Sequence, residues 1–326
     1  MDYPEKKNNK NYVFLLILLL TMISSQIISD RTIQPNVARR MNIQDSILAG
    51  QYEAPYQYRI LKSLLGEVTE YFVSSVVQDP VRSHIISFHI LIFLVFLGIF
   101  SLMYFYLRLF FSVYVCMIGM LLLQIVIPLG ITSIWEEGDY FTLLFFLIGF
   151  NLMFRSKEYL IPVVVLIGVL NRDQIIYILA FYVAFLIGEK RLFSKKGITV
   201  ILVSLIAYFV TYYSMRLYFG FKINHYVTEI QTSTNIDHWD SILGLWVEQV
   251  FVFVILCIIS YKKSSTFFRL SLLSLILYVV IFFFNSILSQ VAKILPAYLI
   301  LIPMSLQTLS GEKMKYFNNF NFIKKE

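Results

Sequence analysis

Apolar runs of about 15 to 25 residues recur from Val13 to Leu309 with only brief polar interruptions, and this pattern constrains the fold more than any other feature. A soluble core of this size needs polar surface to cover it. This chain lacks that surface, since 58% of its 326 residues are hydrophobic and 14% charged, with a mean hydropathy of +0.73. Because backbone N–H and C=O groups in lipid must be satisfied within their own segment, such runs become helices. The expectation is an all-α polytopic membrane protein, a single membrane domain over residues 1–326. About ten spans are expected, at 12–28, 85–107, 113–134, 140–154, 159–170, 174–188, 197–218, 242–260, 267–288 and 294–309. Residues 29–84 form a long first outer loop, and 310–326 a cytoplasmic tail.

The formal charge of +7 does not point to nucleic acid, because the Lys and Arg residues sit in short turns and not on one face of a soluble module. They read as topology signals. Lys6, Lys7 and Lys10 precede the first run, which is expected to stay as an anchor because no clean small-x-small cleavage site follows it. With both termini in the cytoplasm, about 17 of the 27 basic residues fall inside, and about 14 of the 20 acidic residues fall outside. A bacterial inner membrane is the expected location. In the outer loop, "NVARRMNIQDSILAG" and "QYEAPYQYRILKSLLGEV" suit interfacial helices, and Tyr52, Tyr56 and Tyr58 suit an aromatic belt. Glu248, early in an apolar run, is expected to face the bundle or a cavity, while His84 and His89 fall on different helix faces and make no metal pair.

One turn breaks the pattern. Asn171, Arg172 and Asp173 separate apolar runs of which the first, Tyr159 to Leu170, reaches roughly 18 Å against a hydrocarbon thickness of about 30 Å. With Arg155 and Lys157 at the inner interface, the turn lies roughly 10 Å below the outer surface. The neighbouring runs are also short, which brings "WEEGDY" (Trp135 to Tyr140) toward the same depth. Charges there cost several kcal/mol unless they pair or face water, so an outward-open polar cavity is expected, with Arg172 paired to an acidic neighbour.

Three short patterns resemble the GT-C superfamily of integral membrane glycosyltransferases, including bacterial members: "APYQYRIL" (Ala54 to Leu61), "NRDQ" (Asn171 to Gln174) and "AKILPAYLILIP" (Ala292 to Pro303). The resemblance implies a GT-C-like fold and transfer of a sugar from a polyprenyl-phosphate donor to an envelope glycan or lipid acceptor. It also implies an acidic residue near the end of the first span acting on the acceptor, and the matching position is Asp30. The acidic pair of better-known members is missing there, so a divalent metal is possible but not required.

Such chemistry wants a carboxylate for the acceptor proton and cations for the departing phosphate. Asp30, Glu136, Glu137 and Asp139 are the candidates for the first role; Arg59, Arg172 and Lys293, with Asp173 beside them, are candidates for holding substrate. Broken helices and buried charges also mark transporters, and a polysaccharide polymerase or a non-catalytic assembly protein would share the outer-face arginines. Transport predicts ionisable residues in the inner half of several spans and repeat symmetry, neither of which the sequence shows.

Overall fold

Every regular element is helical in the computed structural model, which describes residues 8–223, 227–312 and 314. The first helix, α1 (Asn8–Thr32), leads through two loop helices, α2 (Val37–Leu48) and α3 (Leu61–Ser74), to the long α4 (Pro80–Leu107). Then come α5 (Val113–Gly130), α6 (Glu137–Phe154), the short α7 (Ile161–Val169) and α8 (Ile178–Gly188), and α9 (Lys195–Phe219). After α10 (Thr228–Asp237), α11 (Trp239–Trp246) runs through one π turn into α12 (Val252–Ser260). Finally α13 (Thr266–Asn285) and a 3-10 stretch, Val291–Ala297, lead to α14 (Tyr298–Ser310).

Among the described residues, eight helical stretches are long and apolar enough to cross a membrane. The difference from ten lies in α7 and α8, which have 9 and 11 residues. At about 1.5 Å per residue neither reaches across a bilayer core. Helix starts also move. Asp79 accepts from the amides of Val81 and Arg82 with Pro80 at the first position, so α4 begins at 80 and not 85. A capping box between Ser133 and Glu136 makes 134–139 helical, where an acidic turn was expected.

The core is aromatic and centres on α4, α6 and α14. Phe96, Phe100, Tyr106, Phe146 and Phe150 are fully buried, and Tyr106 donates to the Leu299 carbonyl at 2.9 Å. By contrast α9, α12 and α13 turn Ile206, Phe209, Ile258 and Ile276 outward, an apolar exterior that suits lipid. Glu248, in the π turn at Val247–Phe251, is exposed and so is not buried in the bundle as expected.

Hydrogen bonds sort the connections into two ends. At one end Tyr58 Oη donates to the Gly220 carbonyl at 2.8 Å, Leu61 N to Leu170 O at 3.0 Å, and Asn235 to Ser286 O at 2.7 Å. At the other, Ser112 donates to Glu312, Arg191 and Lys196 pair with Glu158, and Gln307 donates to Lys263 O. Lys6, Lys7, His225 and most of the basic tail lie outside the described residues. Tyr58 is buried by its bonds to the 220 segment, so it is not a belt residue.

The two ends should lie on opposite sides of the membrane. Both native cysteines are buried, so single cysteines at the exposed positions Asp45 and Lys262 can be compared directly. An impermeant maleimide should label Asp45→Cys and Lys262→Cys from opposite faces. Labelling of both from one face contradicts the arrangement.

Candidate functional site

The first turn of α6 and the Asn171–Asp173 turn meet, and the sequence places a glycine, Gly138, where they touch. Arg172 lies on Gly138, where a Cβ would sit 2.7 Å from its Nε, so the guanidinium needs the bare backbone. Its Nη2 donates to the Trp135 carbonyl at 2.8 Å and lies 3.0 Å from Asp139 Oδ2. Asn171 donates to Gly138 O at 2.8 Å and to Thr142 Oγ1 at 2.9 Å. The convergence of the two polar segments is therefore real, and the acidic neighbour that pairs with Arg172 is Asp139, not the adjacent Asp173. Arg172 has an extended backbone, which sends adjacent side chains to opposite sides. Arg172 thus reaches back to Asp139, while Asp173 turns to Arg216 of α9, 3.7 Å away.

The remaining carboxylates divide by environment. Glu137 is fully buried between Arg40 of α2 and Lys62 of α3, the latter at 2.8 Å, and so ties both loop helices to α6. Burial lowers the Lys62 pKa, and Glu137 works against that shift. Glu136 is spent on its cap, accepting from Thr132 N at 2.7 Å and Ser133 N at 2.9 Å. Asp139, also fully buried, stands behind Arg172. Asp30 is exposed at the end of α1, held by Gln26 and Gln34, and lines neither of the two pockets described below that Arg172 lines.

A cleft of about 400 Å³ brings Arg59, Arg172, Asp173 and Lys293 together. That volume is within the usual range for small-molecule sites. Its walls are Tyr56 and Trp135 on one side, Tyr177 and Tyr208 on another, and Ile281 and Phe282 of α13. Tyr56 packs on Trp135 at 4.8 Å between centroids, and Arg59 lies over Tyr56 at 5.4 Å. Burial and, next, the Arg172 charge hold Arg59 below the ordinary arginine pKa. Lys293, on the buried 3-10 stretch before α14, donates to Ser286 Oγ. Three cations and one carboxylate, walled by aromatics, give the cleft a positive and partly apolar lining.

Sequence reading passed over Arg40, Lys62 and Arg216. Arg216 carried a usable signal, a lone charge inside the apolar run 197–218. Arg40 and Lys62 carried none, because their partner is more than 70 residues away. No group of three or more His, Cys, Asp or Glu residues stands together among the described residues. No protein-family model matches the chain, and no curated protein or solved structure matches it either.

The two aspartates should part company on mutation. Asp139→Asn leaves Arg172 buried without a counter-charge and should cost about 3–5 kcal/mol, read as a lowered Tm of the purified protein. Asp173→Asn, at a partly exposed pair, should cost at most about 1 kcal/mol. Equal losses would show that the Arg172–Asp139 contact does not hold the turn.

Proposed function

We infer that this chain is a membrane glycosyltransferase that moves a sugar from a polyprenyl-phosphate donor to a hydroxyl acceptor at the outer face of the cytoplasmic membrane. The observation that carries the reading is the cleft, with Arg59, Arg172 and Lys293 beside aromatic and aliphatic walls. A sugar phosphate on a prenyl chain has those two needs, cations for the phosphate and an apolar path for the tail. The path follows from the short helices: α8 packs between α9 and α13, and it is too short to fill the gap where Tyr208, Ile281 and Phe282 line the cleft.

In the proposed reaction the bond between the anomeric carbon and the phosphate oxygen breaks, its electron pair staying on the phosphate. Arg172 and Arg59 hold that growing charge with donors in a planar fork, and Lys293 adds a point charge. The acceptor oxygen bonds to the anomeric carbon and gives its proton to Asp173, the carboxylate that lines the cleft. Asp139 serves as the positioning partner of Arg172, Glu137 as the tie for the loop, and Glu136 as a cap. Asp30 stands apart and takes no step. No step uses a metal.

The proposed orientation places the cleft outside and both termini in the cytoplasm. Arg108, Arg155, Lys157, Lys190, Arg191, Lys195, Lys196, Lys262 and Lys263 all sit in connections or helix ends away from the cleft, which suits the positive-inside rule.

Transfer from a lipid-linked sugar by purified variants tests the reading. Asp173→Asn should slow the reaction by about 100-fold or more while leaving donor binding intact, as loss of a general base does. Arg172→Lys keeps the charge and loses the fork, so it should weaken donor use with fold retained. Transfer at the wild-type rate by folded Asp173→Asn would remove Asp173 as the base. Full transfer by an Arg172→Lys, Lys293→Met protein would move the donor elsewhere.

A further inference from the structure

Behind the wall formed by Tyr56, Trp135, Arg59 and Arg172 lies a second, smaller pocket beneath α2 and α3, of about 50 Å³. That is room for an oxyanion. Four cations line it, Arg40, Arg59, Lys62 and Arg172. Two carboxylates answer them, Glu137 for Arg40 and Lys62 and Asp139 for Arg172. The pocket thus holds an excess of positive charge in a place where unpaired charge is costly. The Nε atoms of Arg40, Arg59 and Arg172 are buried with no hydrogen-bond partner among the described residues, and Arg40 and Arg172 are each 5% exposed. Native proteins rarely leave such donors unanswered. The Arg40 guanidinium also lies over the Phe88 ring, 4.1 Å from its centroid, which helps to hold it in place.

We propose that this inner pocket is a second oxyanion site that takes a phosphoryl group, separate from the cleft in front of it. An oxyanion there balances the excess charge of the four cations that line the pocket. The phosphoryl group has two possible sources in the reaction proposed above, on which this assignment of source rests. It is either the second phosphate of a diphosphate-linked donor, reaching past Arg59 and Arg172, or a phosphate carried by the acceptor.

Binding to the purified full-length protein in lipid nanodiscs tests the site with three probes: inorganic phosphate, a prenyl monophosphate and a prenyl diphosphate. Ile43 lines the inner pocket and not the cleft, so Ile43→Glu sets a carboxylate where the phosphate would lie. Inorganic phosphate should bind wild type in the presence of saturating prenyl monophosphate, and Ile43→Glu should weaken it about 10-fold or more, the worth of a charge-assisted contact. Prenyl monophosphate should bind both proteins alike. Prenyl diphosphate binding about 10-fold tighter than monophosphate, with the gain abolished by Ile43→Glu, assigns the group to the donor; no such gain, with phosphate still bound, assigns it to the acceptor. Should Ile43→Glu not fold, Lys62→Gln, with a smaller expected loss, takes its place. Phosphate binding that is absent from wild type, or unchanged in a folded variant, overturns the proposal. Failure of prenyl monophosphate to bind at all sinks the donor reading instead, and leaves the phosphate result standing.

Discussion

The structure depends on where its buried carboxylates find their cations. Glu137 and Asp139 stand in the first turn of α6 with no solvent contact, next to a helix N-terminus that favours negative charge. That field alone does not offset the desolvation of two carboxylates, so each needs a partner brought from far along the chain. Arg40 and Lys62 come from the loop helices, Arg172 from the turn after α7. Satisfying these two residues therefore fixes the loop above the bundle and the turn within it, and the cleft is the space left between them.

The short helices give that arrangement its use. An ordinary span at α7 and α8 would carry Asn171–Asp173 to the surface, where paired charges contribute little. With 9 and 11 residues, these helices keep the turn against α6 and leave a slot beside Tyr208 and Phe282. Polar floor and apolar wall arise from the same shortage of length. In the function proposed above, a lipid-linked phosphate answers both surfaces.

Much of this was legible in the sequence. The apolar runs place most helices, and run length alone marks α7 and α8 as too short and predicts that the polar turns at 135–140 and 171–173 converge. What the sequence could not give was the choice of partner. Asp173 is the neighbour of Arg172 in the chain, yet extended backbone at 172 separates the two side chains, and Asp139 takes its place. Asp30 matched a motif position but sits exposed on Gln26 and Gln34, whereas Glu136 proved to be a cap once Ser133 was seen three residues before it. Local rules of spacing and capping read correctly at short range; pairings such as Arg40 with Glu137 depend on how distant helices pack.

The central claim is that Arg59, Arg172 and Lys293 form a receptor for the phosphate of a prenyl-linked donor. The most direct measurement is an experimental structure of the protein in lipid with a prenyl phosphate bound. The account predicts phosphate density among these three side chains, with the tail leaving past Tyr208 and Ile281 between α9 and α13. A phosphate held at the opposite end of the bundle, near Arg191 and Lys196, would contradict it.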